Sequence, residues 1–301
     1  MRNIIIDTDP GIDDALAMML AVKSGLFDIV AITTVAGNSG IENTTKNARY
    51  ILKLLEREDI PICSGAEKPL KRDLISAVVH GESGLAGIDV KENANLTGNA
   101  VDKIIEIVDK EETTIIALGP LTNIALAIQK APEIMKKVKE IFIMGGAIRV
   151  PGNENRVAEF NIFVDPEAAE RVFNFPIKKT LIPLDACNAV KLQLVDFEKI
   201  RNEKLKGPIL CMMGEFIRGI LEDAGVEGAV VYDALAVYSL INPEACIKND
   251  YDIRIETQSE LTRGMSVADL REKSDKKCNV SVVESIDEQE FKKDFIEILS
   301  E

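Results

Sequence analysis

The sequence predicts an α/β fold in which one domain, residues 1–301, is built on a mostly parallel central sheet flanked by helices. Short runs rich in β-branched residues alternate with longer stretches of helical periodicity, a pattern typical of βαβ units. Polar, glycine-rich segments follow the predicted strands, and no repeat, linker or low-complexity tract interrupts the alternation. We therefore expect an open, Rossmann-like sheet with its ligand site beyond the carboxyl ends of the strands.

The individual elements follow from the same patterns. Residues 64–96 carry no periodic signal and are predicted to form a long loop, which in a compact protein is usually functional. The predicted strands are 4–7, 27–35, 60–63, 114–118, 140–144, 179–183, 252–257 and 280–283. The predicted helices are 13–24, 42–57, 100–110, 122–130, 165–173, about 207–223, 233–241 and 287–299.

Charge and cysteine content exclude several classes of function. The chain has 36 Lys and Arg against 50 Asp and Glu, a net charge of −14, which disfavours binding to nucleic acid or anionic membranes. Five cysteines without a C-x-x-C spacing indicate reduced thiols in a cytoplasmic protein. No apolar run approaches the roughly 18 residues of a membrane span, and the N-terminus is expected to form a strand rather than a signal peptide.

The densest chemical signal is an acidic loop at residues 7–14, directly after the first predicted strand. Like charges this close repel one another unless a cation or hydrogen-bond donors hold them, so the loop favours a metal site with hard oxygen ligands. Capping the next helix would need only one carboxylate. An EF-hand is excluded because Gly11 occupies a ligand position. An aspartate-nucleophile phosphatase using Asp7 stays open as an alternative. The four carboxylates are Asp7, Asp9, Asp13 and Asp14.

Three further groups of residues give weaker evidence for a functional site when each is considered alone. Asn153, Glu159 and Asn161 form a set suited to binding hydroxyl groups, although loop polar residues are common. Asp233 begins an apolar helical run, where an N-cap is the simpler interpretation. His80 is the only histidine in the chain and lies in a glycine-rich segment, where an isolated histidine is more often incidental than catalytic.

Taken together, these motifs resemble the inosine-uridine preferring nucleoside hydrolase family. The opening acidic motif is specific, and the others gain weight from their order along most of the chain. They are Asp-Thr-Asp-Pro-Gly-Ile-Asp-Asp (7–14), Thr-Val-Ala-Gly-Asn (34–38), His-Gly-Glu-Ser-Gly-Leu (80–85), Leu-Gly-Pro-Leu-Thr-Asn (118–123), Met-Gly-Gly (144–146), Glu-Phe-Asn (159–161) and Asp-Pro-Glu-Ala-Ala (165–169).

The resemblance implies a single bound Ca²⁺ and hydrolysis of the N-glycosidic bond of ribonucleosides. Asp9 would also be the base that activates water, Asp7 would support the loop, and His80 would lie near the nucleobase. The implied metal ligands are Asp9, Asp14, the main-chain carbonyl of Thr122, and Asp233. The implied ribose-binding residues are Asp13, Asn38, Asn153, Glu159 and Asn161. Members of the family are usually dimers or tetramers, so we expect a homodimer or homotetramer.

One position departs from the family pattern. Family members commonly have histidine just before the last metal-binding aspartate, as the acid that protonates the leaving base, and this chain has Tyr232. Tyrosine with its ordinary pKa near 10 is a weak acid at neutral pH. Three explanations would satisfy the chemistry. Tyr232 itself could donate a proton or hydrogen bond to the leaving base, or another group such as His80 or a residue in the region 212–231 could do so. Alternatively, the leaving base could need little protonation. A non-catalytic homologue that binds ribose or nucleosides is the remaining alternative.

Overall fold

The computed structural model describes residues 1–77, 83–96, 98–225, 228–271 and 277–301. Within these ranges the strands are β1 (Arg2–Thr8), β2 (Phe27–Thr34), β3 (Ile62–Ser64), β4 (Thr114–Ala117), β5 (Glu140–Met144), β6 (Lys179–Ile182), β7 (Cys246–Tyr251), β8 (Ile253–Ile255), β9 (Ser266–Ala268) and β10 (Val280–Ile286). Eight of the ten strands lie at predicted positions, with ends that differ by a few residues, and β7 and β9 were not predicted.

Eight of these strands form one sheet in the order β3-β2-β1-β4-β5-β6-β10-β7. Every neighbouring pair is parallel except β10 and β7, which close one edge as an antiparallel pair. The strand order reverses between β1 and β4, so a crevice opens at the carboxyl ends of these two strands, where doubly wound sheets bind ligands. The prediction of a mostly parallel, Rossmann-like sheet is confirmed.

Helices cover both faces of the sheet. A short 3₁₀ turn at Pro243–Ala245 joins the last buried helix to β7. The helices are α1 (Ile12–Lys23), α2 (Ile41–Leu54), α3 (Ala100–Lys110), α4 (Thr122–Lys130), α5 (Pro132–Met135), α6 (Phe160–Val164), α7 (Pro166–Asn174), α8 (Leu184–Cys187), α9 (Leu194–Phe197), α10 (Glu203–Ala224), α11 (Tyr232–Ile241) and α12 (Glu288–Leu299).

Side-chain alternation along β1 divides the apolar interior into two layers. Ile4 and Ile6 point to the layer under α1 and α11, whereas Ile5 points to the layer under α4 and α7. Helix α1 is buried from Ile12 to Ala21 and packs against α11, so it is apolar on nearly every face. This packing fixes the N-terminus of α1, and with it the acidic loop, against the N-terminus of α11.

Several elements differ from the sequence-based prediction. Strand β7 was not predicted, because only alternate side chains are partly covered at this sheet edge and none is fully buried. The strand predicted at 252–257 exists as β8, but it pairs with β9 in a separate two-stranded sheet. The helix predicted at about 207–223 is confirmed as α10, which includes residues 212–224 of the region that could supply the acid. No helix in the described ranges is long and apolar enough to cross a membrane.

Candidate active site

The residues singled out from the sequence converge at the carboxyl ends of the central strands. Asp9 follows β1 and Asn38 follows β2, while Thr122 begins α4 after the turn that ends β4. Glu159 caps α6 and reaches back to the turn after β5, where its Oε2 accepts a 3.0 Å hydrogen bond from the Gly146 N–H. The crevice at the strand reversal is therefore lined by carboxylates and amides.

Asp9 is fully buried, and only one of its two carboxylate oxygens accepts a hydrogen bond within the described part of the chain. Its Oδ2 accepts a 2.6 Å hydrogen bond from the main-chain N–H of Asn38. Its Oδ1 is buried and has no hydrogen-bond partner within the described part of the chain. A Cβ at Gly37 would lie 2.1 Å from Oδ2, and one at Gly119 would lie 2.3 Å from Oδ1, so both glycines are needed for this carboxylate to fit.

Asp13, Asp14 and Asp233 form a buried carboxylate cluster in which one oxygen from each lies within 4.8 Å of the others. Both carboxylate oxygens of Asp14 accept hydrogen bonds. Its Oδ2 accepts hydrogen bonds from the Gly11 N–H at 2.9 Å and from the Asn38 Nδ2 at 3.0 Å, and its Oδ1 accepts one from the Thr8 hydroxyl. Asp233 lies in the first turn of α11, so the packing of α1 on α11 brings the cluster together.

Burial raises the pKa of every carboxyl group in this crevice. The pKa of Asp13 rises to about 6 and that of Glu159 to about 7, in both cases mainly because burial disfavours the charged form. The pKa of Asp9 and that of Asp233 are raised further, because repulsion from neighbouring aspartates adds to burial. Without a cation, the cluster therefore retains protons that isolated carboxylates would lose at neutral pH.

Asp7 has a supporting position. It lies inside β1, is fully buried, and its Oδ1 accepts hydrogen bonds from the Thr33 hydroxyl at 2.5 Å and from Asn123 Nδ2 at 2.8 Å. These contacts join β1 to β2 and to α4 beneath the acidic loop. Two hydrogen bonds thus tie Asp7 to the framework beneath the loop, which fits a supporting position better than the role of a phosphatase nucleophile.

The amide and carboxyl groups expected to hold ribose occupy different depths. Glu159 and Asn161 are buried, and Asn161 Nδ2 donates a 2.7 Å hydrogen bond to the Leu118 carbonyl. Asn153 is exposed, and its Oδ1 accepts a 2.9 Å hydrogen bond from the Phe160 N–H, which ties its loop to the start of α6. Main-chain groups thus hold the buried Glu159 and Asn161 in place, whereas Asn153 is exposed to solvent.

The sequence also predicted Thr122 and His80 as residues of the site. Thr122 is buried at the first position of α4, and its hydroxyl donates a 2.7 Å hydrogen bond to Asp165 Oδ2. Asp165 also caps α7, so this bond fixes the start of α4 relative to α7. His80 lies outside the described residues.

Tyr232 lies beside the aspartate cluster at the start of α11. Its hydroxyl donates a long hydrogen bond, 3.4 Å, to Asn188 Oδ1 at the end of α8. Burial raises the pKa of the phenol, and the nearby Cys187, Asp13 and Glu159 raise it further. The side chain is therefore a neutral O–H donor across the physiological range. The contact with Asn188 was not anticipated, because an isolated Asn after a short helix carries no sequence signal.

The donor set fits a hard divalent cation. Four buried carboxyl groups lie close together, Asp9, Asp13, Asp14 and Asp233, and the first three each raise the pKa of Asp233. One of their oxygens, Asp9 Oδ1, has no partner in the described chain. Such a group is costly when it stays charged and unpaired. Carboxylate and carbonyl oxygens are the ligands that Ca²⁺ prefers. A cation here would remove the repulsion that these residues otherwise relieve by taking up protons.

Comparisons with known proteins agree with this geometry. Residues 4–293 match the model of the family described as inosine-uridine preferring nucleoside hydrolase. A pyrimidine-specific ribonucleoside hydrolase of Escherichia coli is 39% identical over 298 residues, covering 96% of this chain and 95% of the relative. The corresponding protein of a Shewanella strain is 40% identical over 300 residues, covering 96% and 93%.

Solved structures show the same likeness over the full length. A plant nucleoside hydrolase superimposes with a TM-score of 0.91 at 30% identity, covering 99% of both chains. A purine-preferring ribonucleoside hydrolase from Gardnerella vaginalis has a TM-score of 0.92 at 27% identity, covering 99% and 98%. The family match, the sheet order and the buried aspartate cluster lead to one conclusion: this chain belongs to the inosine-uridine preferring nucleoside hydrolase family of N-glycosidases.

Proposed function

We propose that this protein is a Ca²⁺-dependent ribonucleoside hydrolase that cleaves the N-glycosidic bond to give ribose and a free base. The observation that carries the proposal is the partnerless, buried Oδ1 of Asp9 in the described chain, beside the carboxylate cluster of Asp13, Asp14 and Asp233. This arrangement provides an oxygen that can accept a proton next to a set of ligands for a cation.

Asp9, Asp14, Asp233 and the main-chain carbonyl of Thr122 would hold the Ca²⁺. When bound, the cation supplies positive charge that anchors the two vicinal ribose hydroxyls and makes a water molecule more acidic. Asp13, at 7% exposure the most accessible of the four acidic-loop carboxylates, would accept a hydrogen bond from a ribose hydroxyl. Asn38, Asn153, Glu159 and Asn161 complete the ribose contacts.

Asp9 would act as the general base. As a water oxygen bonds to C1′ of the ribose, Asp9 Oδ1 takes the water proton, and the electron pair of the C1′–N bond leaves with the base. The sugar passes through an oxocarbenium-like state, and the carboxyl and amide oxygens of Glu159 and Asn161 stabilise its positive charge. No covalent enzyme intermediate is needed.

Tyr232 is our candidate for the group that assists the leaving base. Its raised pKa keeps the phenol protonated, so it serves as a hydrogen-bond donor more readily than as a source of a full proton. Its long bond to Asn188 leaves that donor available to a base nitrogen or oxygen. His80 and residues of the region 212–231 stay alternative donors.

Pyrimidine ribonucleosides are the first substrates to test. The Escherichia coli and Shewanella relatives, at 39% and 40% identity, are named as pyrimidine-specific, whereas the purine-preferring structural neighbour is 27% identical. A pyrimidine base can leave with its charge spread over its carbonyl oxygens, which hydrogen bonds from a neutral phenol would stabilise. We expect uridine and cytidine to be cleaved faster than inosine.

The test is a panel of ribonucleosides incubated with purified protein and Ca²⁺, with release of reducing sugar as the readout. Sugar release from at least one nucleoside supports the proposal. Saturable nucleoside binding without sugar release would instead favour the non-catalytic homologue.

We also propose that the protein is a single domain, is located in the cytoplasm, and forms a homodimer or homotetramer. Analytical ultracentrifugation would check the oligomeric state.

A further inference from the structure

Asn47 joins the acidic loop to a second segment of the chain. This residue lies in α2 and is 1% exposed. Its Nδ2 donates a 2.9 Å hydrogen bond to the Pro10 carbonyl and a 2.8 Å hydrogen bond to the Ser83 carbonyl. A side-chain amide nitrogen carries two hydrogens, so both are used, one on each segment. The two carbonyls are separated by more than seventy residues in sequence and share one donor group.

The neighbouring Gly84 is enclosed by the same groups. It adopts φ +85°, which favours glycine. A Cβ there would lie 2.8 Å from Asn47 Nδ2, 3.2 Å from the Pro10 carbonyl oxygen and 3.3 Å from Ser39 Oγ. The segment 83–85 therefore rests directly on the acidic loop, and any side chain at position 84 would separate them.

The segment 83–88 is anchored on its other side as well. Leu85 is fully buried in the apolar layer under α1. Cys211 of α10 lies against the segment, and its Sγ donates a 3.1 Å hydrogen bond to the Gly87 carbonyl. With both of these anchors in place, the bond from Asn47 determines how the segment sits relative to the acidic loop.

Pro10 lies between two groups that would contact the cation. It directly follows Asp9, and it precedes Gly11, whose N–H donates to Asp14 Oδ2. A displacement of the Pro10 carbonyl therefore moves the main chain that carries Asp9 and also the donor that holds Asp14. A bound cation would restrain this main chain, and the two hydrogen bonds of Asn47 connect it to Ser83.

We propose that Asn47 is a positioning residue that couples cation binding in the acidic loop to the order of the segment 83–88. This inference rests on the cation site of the proposed function. Loss of the Asn47 side chain would leave two buried carbonyls without this donor, and we expect the loosened acidic loop to bind Ca²⁺ about tenfold more weakly. Asn47 touches neither the cation nor the substrate and acts through the two segments that it joins.

The experiment is amide hydrogen exchange measured by mass spectrometry, with and without saturating Ca²⁺, on peptides that cover 83–88. Asn47→Ala is the test variant and Gly84→Ala the second. Arg49→Ala is the matched control, because Arg49 lies on the same helix and donates to the Ala94 and Asn95 carbonyls of the same loop instead of those of Pro10 and Ser83. Gly40→Ala, with open space around its Cβ, controls for Gly84→Ala.

In the wild type and in both controls, Ca²⁺ should slow exchange in 83–88 by about fivefold or more. In Asn47→Ala and Gly84→Ala this difference should disappear, and the Ca²⁺ affinity measured by calorimetry should fall by about tenfold. An Asn47→Ala protein that keeps the Ca²⁺-dependent protection, or a wild type that shows none, would overturn the inference. Neither readout requires turnover, so failure of nucleoside cleavage is seen separately.

Discussion

Asp9 Oδ2 accepts a 2.6 Å hydrogen bond from the main-chain N–H of Asn38, while the buried Oδ1 of the same carboxylate has no partner in the described chain. One oxygen is thus fixed by the loop after β2 and the other is free to accept a proton or bind a cation. Gly37 and Gly119 enclose this carboxylate so closely that its orientation is determined by the main chain.

Replacing Asp9 by Asn tests its role as the base. The amide keeps the shape of the side chain and loses the ability to take a proton. We expect kcat for the best nucleoside to fall by about 10²–10⁴-fold, the usual contribution of a positioned base. Asp28→Asn, an exposed aspartate in β2, should leave kcat unchanged. Full activity in Asp9→Asn, with the thermal unfolding of both variants matched to the wild type, would exclude Asp9 as the base.

Gly37→Ala tests the enclosure of Asp9. The added Cβ would lie 2.1 Å from Oδ2, so the carboxylate must shift away from Asn38. Displacing a group that orients metal ligands weakens metal binding by about 10–100-fold. Calorimetric titration with Ca²⁺ should show this loss in Gly37→Ala and not in Gly40→Ala, where the added Cβ would meet no atom within 4 Å. Equal Ca²⁺ affinity in both variants would mean that Asp9 does not contribute to the cation site.

Ca²⁺ binding should release protons near pH 6. The pKa of Asp13 is raised to about 6 and that of Glu159 to about 7, so below these values the cation-free folded protein holds protons that the unfolded chain has already lost. Its unfolding free energy therefore falls as pH rises from about 4 through about 7. Cation binding favours the ionised carboxylates, so apparent Ca²⁺ affinity rises over the same window.

Calorimetry in two buffers with different ionisation enthalpies measures this release directly. At pH 6 the observed binding enthalpy should differ between the buffers, because a cation that binds protonated carboxyl groups displaces their protons. A binding enthalpy that is identical in both buffers at pH 6 would show that the carboxylates are already ionised without the cation.

Tyr232→His and Tyr232→Phe test the departure from the family pattern. Histidine provides a group that can protonate a purine, so turnover of inosine should rise in Tyr232→His. Phenylalanine removes the donor, and kcat for a pyrimidine nucleoside should fall by about 10²-fold, at the lower end for acid catalysis. Measuring kcat and KM separately distinguishes loss of assistance to the leaving base, which lowers kcat, from weaker substrate binding, which raises KM. Unchanged kcat in Tyr232→Phe would assign the role to His80 or to a residue of the region 212–231.

The sequence predicted the central strands well because their periodicity and their glycine-rich ends are local signals. The helix Ala100–Lys110 and the strand Glu140–Met144 have the predicted limits. Strand β7 was not predicted because it lies at the sheet edge without a continuous buried face, so its sequence lacks a clear apolar pattern. The pairing of β8 with β9 depends on tertiary contacts that no local pattern contains.

The site was predictable to a similar extent and for similar reasons. The acidic loop is a local motif, so its importance could be recognised before the fold was known. Its grouping with Asp233 depends on the packing of α1 against α11 and came from the resemblance to a family. The bonds from Asn47 to Pro10 and Ser83 join residues that are distant in sequence, and a lone Asn within a helix gives no hint of them.

The central claim is Ca²⁺-dependent cleavage at the proposed cation ligands Asp9, Asp14 and Asp233. The most direct measurement removes divalent cations with a chelator and follows ribose release from uridine and inosine as Ca²⁺ is added back. We predict that activity is lost with the chelator and returns in proportion to the occupancy of one site per chain. Nucleoside cleavage that persists after complete removal of the cation would contradict the account, as would a saturated Ca²⁺ site without cleavage.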